Sequence, residues 1–143
     1  MSARTKIVNA LVEKFKLING SSPYRSNLFG NVSNKLKFWD EISEYPAMFL
    51  NAGPENREYL PGAFKWGYLT VTIRVYVRDE EPELELEKFF TDIETVIDAN
   101  GNLVYDTSLN QVEDIKIMSI HTDEGLLAPI GVGEIILQIM YAL

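Results

Sequence analysis

Between residues 65 and 78 the chain alternates: Leu69, Val71, Ile73, Val75 and Val77 fall on one side, and Thr70, Thr72, Arg74 and Tyr76 on the other. Successive side chains of an extended chain point to opposite faces, so this run predicts a β-strand with one apolar and one largely polar face. A sheet built on such a strand must bury its apolar face, and the rest of the chain has to supply the cover.

Two segments have the spacing to do so. Ile7, Val8, Leu11, Val12, Phe15 and Ile18 form one stripe at helical period, which predicts a helix over residues 3–18, closed by Asn19-Gly20. Asp79-Glu80-Glu81-Pro82-Glu83 opens a second helix, because proline is tolerated in the first turn and carboxylates favour the positive end of the helix dipole. Its stripe is Leu86, Phe89, Phe90, Ile93, Val96 and Ile97, and Asn100-Gly101 ends it. Ala47-Met48-Phe49-Leu50 behind Pro46 reads as a short buried strand stopped by Asn51-Ala52-Gly53-Pro54. Residues 55–64, bounded by Gly53-Pro54 and Pro61-Gly62, read as a long hairpin tip. Two more strands are expected over Val112–Thr122 and residues 134–143, the last apolar on both sides and therefore interior. Gly131-Val132-Gly133, followed by a strand and not a helix, reads as a turn that permits close backbone approach. The order predicts a single α+β domain of 143 residues: a mainly antiparallel, mixed sheet with two helices packed on one face.

The chain has no cysteine and one histidine, His121, which excludes thiol catalysis, disulfides and cysteine-ligated metals. Asp114-Ile115-Lys116 matches the acid-x-lysine core of a nuclease motif, but 21 acids and 8 lysines in 143 positions produce about one such triplet by chance. The acidic run Asp79–Glu87 lacks the glycine and spacing of a calcium loop. No catalytic residue, metal ligand or cofactor is expected. The N-terminus leads into an amphipathic helix, no apolar stretch is long enough to span a bilayer, and folding in the cytoplasm is expected without a membrane partner.

Charge is segregated along the chain. Residues 1–78 carry 11 Lys/Arg against 6 Asp/Glu, a balance of +5, whereas residues 79–124 carry 2 against 14, a balance of −12. Such segregation would help identical copies associate head-to-tail and would keep DNA from sticking; a solvated acidic helix with acidic loops is the alternative reading. Arg57, Tyr59 and Trp66 supply the residue types that interfaces favour. Tyr24, Leu28 and Phe29 in the polar loop of residues 19–36 either fold back on the core or are offered to a partner, and Tyr24 and Phe29 join the candidate interface.

Four stretches together resemble one family: Ile7-Val8-Asn9-Ala10-Leu11; Glu44-Tyr45-Pro46 with Gly53; Thr70 to Val77 with its acidic helix; and Thr122-Asp123-Glu124-Gly125 with Pro129 and Gly131. The chain resembles the tail terminator proteins of long-tailed phages along nearly its whole length. That resemblance implies a structural virion protein assembled in the host cytoplasm: a homo-hexameric ring that caps the tail tube, halts its polymerisation and meets a head-completion or neck protein. DNA would pass through its channel without specific binding, with Glu83, Glu85, Glu87 and Glu94 as channel-bordering acids or, in the alternative, as a solvated helix face. The rivals are a tail-tube or head-completion subunit and, from another class, a small metal-dependent hydrolase or nuclease.

Overall fold

A computed structural model describes residues 1–143, with the Trp39 side chain outside the described part. Its elements are α1 (Ala3–Phe15), β1 (Val32–Ser33), a 3-10 turn (Trp39–Glu41), β2 (Ala47–Leu60), β3 (Phe64–Arg78), α2 (Pro82–Ala99), β4 (Val112–Thr122) and β5 (Ile130–Ala142). The strands form one sheet in the order β1-β2-β3-β5-β4, antiparallel except for the short β1–β2 pair. Among the described residues no helix is long and apolar enough to cross a membrane.

Both helices lie on one face of the sheet, as the two stripes require. Ile7, Leu11 and Phe15 of α1 and Leu86, Phe89, Ile93 and Val96 of α2 share one core with Met48 and Leu50, with Leu69 to Val77 at alternate positions, and with Ile135, Leu137 and Ile139. Ser2 caps α1 by accepting the Thr5 N–H at 3.2 Å. The helix ends at Phe15, three residues before the expected stop, yet Ile18 still packs in the core, because a hydrogen-bonded turn (Ile18 N–H to Phe15 C=O, 3.1 Å) carries it there. A smaller cluster on the opposite sheet face joins Ala47, Phe49 and Tyr76 to Ile42, Tyr45 and Val132, with the Phe49 and Tyr76 rings edge to face at 5.8 Å.

Three expectations need correction. The strand beginning at Ala47 does not stop at Gly53-Pro54: it passes through a bulge there, where Ala52 pairs with Val71 and Glu55 with Leu69, and runs on to Leu60. Residues 55–64 are therefore mostly strand, and the hairpin tip shrinks to Pro61-Gly62-Ala63. A bulge keeps pairing going past residues that would otherwise break a strand. The loop of residues 19–36 also contains β1, whose parallel pairing to β2 (Val32 with Met48) sequence alternation cannot reveal in two residues.

The third correction concerns Gly131 and Gly133, which lie inside β5 and not in a turn. A Cβ on Gly131 would sit 2.8 Å from Pro82, and one on Gly133 would sit 2.7 Å from the Phe90 ring. These glycines let α2 lie directly on the backbone of β5. Gly133→Ala is expected to overpack this contact and cost about 1–3 kcal/mol, whereas Ile93→Ala, which opens a cavity under the same helix, is expected to cost about 2–5 kcal/mol. Urea denaturation of both variants checks this; a parent-like midpoint for either would show that α2 is not seated as described.

Candidate assembly interface

The two faces of the β2–β3 arm have different surroundings. In the core half of β2, Met48 and Leu50 point toward the helices; past the bulge the parity changes, so Glu55, Arg57 and Tyr59 take the helix-side face, opposite Leu69, Gly67 and Lys65. The helices do not extend this far, and the face turns from apolar to charged. Trp66 and Tyr68 point to the other face, paired with Glu58 and Asn56. Arg57 and Tyr59 thus share one face of the arm, and Trp66 lies half-buried on its reverse. At the tip Tyr59, Leu60 and Phe64 are 65%, 39% and 65% exposed, and the Lys65 ammonium lies 5.5 Å from the centre of the Tyr59 ring.

A polar network fixes the base of the arm. The Tyr141 ring crosses β3 over Gly67, where a Cβ would come within 2.7 Å of it, and the Tyr141 hydroxyl donates to the Glu55 carboxylate. Arg57 Nε donates to the same carboxylate at 2.8 Å, and the Arg4 guanidinium donates to the Gly53 carbonyl at the bulge. The Glu55 side chain is only 4% exposed. Burial works to raise its pKa, but the hydrogen bond from Tyr141, the bond and charge of Arg57 and the charge of Arg4 outweigh it and hold the carboxyl below its ordinary 4.5. Burial first, and then the bond to Glu55 and its negative charge, push the Tyr141 hydroxyl up to about 12.

At the other end of the sheet a second structure is built on Asp92, an almost fully buried acid on the edge of the α2 stripe. Its carboxylate accepts the Arg25 N–H at 3.0 Å, the Ser26 N–H at 2.7 Å and the Ser26 hydroxyl, which ties the loop after α1 to α2. Leu28 enters the core and Tyr24 packs half-buried against it, while Phe29 stays 76% exposed. Phe29 and Gly30, with φ of +51° and +72°, form the centre of a turn closed by the Asn31 N–H on the Leu28 carbonyl at 2.9 Å. Positive φ at a phenylalanine costs about 1–2 kcal/mol, and the Asn27 side chain, accepting the Phe29 N–H at 2.8 Å, helps hold it there. Phe29 borders a cleft with Tyr45, Arg78, Lys88 and Phe89, at the opposite end of β3 from the arm tip.

The four candidate channel acids do not form one row. At about 100° per residue, Glu83, Glu87 and Glu94 share a stripe of α2, all exposed. Glu85 points to the other side, beside Arg25, and pairs with Lys88 at 2.9 Å. Asp114 and Lys116 form an exposed ion pair at 3.7 Å, and His121 is exposed on the same strand. Among the described residues no three His, Asp or Glu side chains converge as metal ligands do. Sequence reading missed Glu55 and Asp92. An acid at position 92, beside Phe89 and Ile93 on a helix stripe, was the available signal for the second; nothing marked the first.

Comparison with known proteins agrees with the sequence resemblance. The family described as Bacteriophage Tail Tube Terminator Protein matches residues 1–143. The tail tube terminator protein p142 of Escherichia phage T5 is 40% identical over 152 aligned residues, spanning 99% of this chain and 94% of that protein. Among solved structures, a chain from the virion of a native gene transfer agent particle superposes with a TM-score of 0.64 over 100% of both chains at 10% identity, which is a likeness of fold.

The Glu55 network sets an acid dependence with a definite sign. Because the folded-state pKa of Glu55 lies below its ordinary 4.5, its stabilisation is complete above that value and is lost as pH falls through the depressed one. Tyr141→Phe is expected to cost about 1.5–3 kcal/mol at neutral pH, as removal of a hydrogen bond to a charged group does. The deficit should shrink as the solution is acidified below about pH 4.5. Thermal melts of the parent and Tyr141→Phe across that range check it, and a deficit that grows in acid would contradict the assignment.

Proposed function

The chain belongs to the family of bacteriophage tail tube terminator proteins, and we propose that it caps the tail tube, stops its polymerisation and joins the tail to the head-completion complex as a ring of six copies. The observation that carries this reading is the match along the whole chain, residues 1–143. The number six comes from the family resemblance. Physical considerations support the rest. A capping ring needs two unlike poles, one for the tube and one for the neck, and two unlike flanks on which neighbouring copies meet. The long axis of β3 separates the aromatic arm tip from the Phe29 cleft, which provides the poles, and the strand order separates β1 from β4, which provides the flanks.

In this reading the arm docks on the last tube ring. Its tip exposes Tyr59, Leu60 and Phe64 with Lys65 and Arg57 beside them, the mix of aromatic, aliphatic and cationic groups that anchors interfaces. Of the acidic stripe on α2, Glu87 and Glu94 border the channel, while Glu83, in the first turn of α2, lies beside the β4–β5 turn. A duplex carries about one negative charge per 1.7 Å of axis, so an acidic wall repels it and leaves it free to slide. The role is structural, performed in the virion tail after assembly in the host cytoplasm.

Replacing Tyr59, Leu60 and Phe64 together by serine is expected to leave the monomer fold unchanged, because none of the three is in the core, and to weaken docking on tube ends by about tenfold or more, as loss of even one anchoring side chain does. Electron microscopy of tails carrying the variant checks it, with overlong or headless tails as the expected phenotype. Normal tails from a folded variant would move the tube-facing surface elsewhere, and a reconstruction with other than sixfold symmetry at this protein would overturn the ring.

A further inference from the structure

Two surfaces in different halves of the sheet carry opposite and complementary charge. On the β1 side, Lys35, Leu36, Lys37 and Phe38 are all exposed and lie outside any helix or strand, with Leu36 45% and Phe38 66% accessible. The segment leaves the fold at Asn34, which is tied to α1 through Asn9 and to β2 through Asn51, and it rejoins at Ile42 on the other sheet face. Phe38 is extended (φ −77°, ψ 159°), and along the segment two lysines alternate with two apolar residues.

In the β5–β4 half, at the end of the strands away from the arm tip, the start of α2 and the β4–β5 turn enclose a groove of roughly 370 Å³ whose apolar lining is Pro82, Leu84 and Ala128 and whose rim is Glu81, Glu83 and Glu124. Leu84 is 58% exposed, and Leu126, held out by the turn, is 87% exposed. This turn is prearranged: the Asp123 carboxylate accepts the Leu127 N–H at 3.2 Å, the Thr122 hydroxyl accepts the Glu124 N–H at 3.2 Å, and Glu124 and Gly125 hold φ of +55° and +83°. Among the described residues the ion pairs involve neither Lys35 and Lys37 nor Glu81, Glu83 and Glu124. Both surfaces therefore present unneutralised charge beside exposed apolar side chains, with opposite signs. The first surface adjoins β1 and β2, and the second adjoins the ends of β5 and β4, with β3 between them.

We propose that the occupant of the Glu83–Glu124 groove is residues 35–38 of a second copy of this chain, with Leu36 and Phe38 on Leu84, Pro82 and Leu126 and with Lys35 and Lys37 against the rim carboxylates. The contact is heterologous, joining two different surfaces of the chain, the kind that repeats around a ring. It deepens the ring reading above, and rests on it, by naming the surfaces through which neighbours meet. Charge complementarity selects the partner: an acidic groove repels a second acidic groove and accepts the cationic segment.

The chain contains no cysteine, so a pair introduced by design is the only route to a disulfide. Tails assembled with Lys37→Cys/Glu83→Cys are expected, after mild oxidation, to release a ladder of covalent oligomers at multiples of 16.3 kDa, and neither single variant should give more than a dimer band. Incorporation of the double variant without a ladder overturns the proposal and leaves the terminator reading standing, whereas absence of the parent chain from tails overturns the reading itself. A charge exchange provides the check that does not depend on cysteine geometry. Lys35→Glu/Lys37→Glu and Glu83→Lys/Glu124→Lys should each fold and each fail to enter tails alone. Co-expressed, they should enter in equal numbers as alternating copies, because each variant's segment then faces a groove of opposite sign. Failure of the folded pair to rescue one another, or full incorporation of either alone, would refute the contact.

Discussion

Strands and helices of similar residue count differ more than twofold in length, and this mismatch governs the molecule. β3, with 15 residues, spans about 50 Å, whereas α2 with 18 and α1 with 13 span about 27 and 20 Å. Two helices on one face can therefore bury only part of the sheet, and the rest must project. The boundary falls at the bulge of Gly53-Pro54, where the inward positions of β2 change from Met48 and Leu50 to Glu55 and Arg57. The nearly buried Glu55 carboxylate, bonded by Tyr141 and Arg57, seals the end of the core where helical cover stops. Gly67 is needed there because any side chain would collide with the Tyr141 ring.

The same mismatch gives the molecule its polarity. One end of the long strands is a two-stranded arm with an aromatic tip, and the other carries the Asp92-anchored loop, the start of α2 and the β4–β5 turn. Hydrogen bonds to a buried carboxylate fix each end, to Glu55 at the base of the arm and to Asp92 at the loop, where Leu28 also enters the core. Preorganised surfaces of this kind lose little entropy on docking. Phe29 at positive φ and Leu126 on a turn held by Asp123 are both exposed at the end away from the arm.

How much of this was legible depended on period and length. The alternation from Leu69 to Val77, the stripes of both helices and the interior placement of the last strand were all readable, because each pattern persists over many residues and reports one buried face. The arm was not, since a bulge shifts the alternation by one residue and erases the signal where Glu55 and Arg57 begin. Gly131 and Gly133 were readable as close-approach positions but not as part of a strand, because glycine has no side chain to carry the alternation. Of the interface candidates, Arg57, Tyr59 and Trp66 could be picked for residue type alone; that the arm has two faces, with Trp66 behind the other two, follows only from its pairing.

The sequence by itself determined the fold class, the buried faces of the helices and long strands, the lack of thiol chemistry and the segregation of charge between residues 1–78 and 79–124. These depend on local spacing and composition, which the linear chain contains in full. Tertiary structure alone decided that Glu55 meets Tyr141, 86 positions away, that Asp92 meets Ser26, 66 positions away, and that the basic stretch builds β1, β2 and β3 while the acidic stretch supplies β4 on the far side of β5. A hydrogen bond between distant residues exists only once a core brings their backbones together, and the side of a sheet on which a charge lies is set by strand order, which no local pattern encodes.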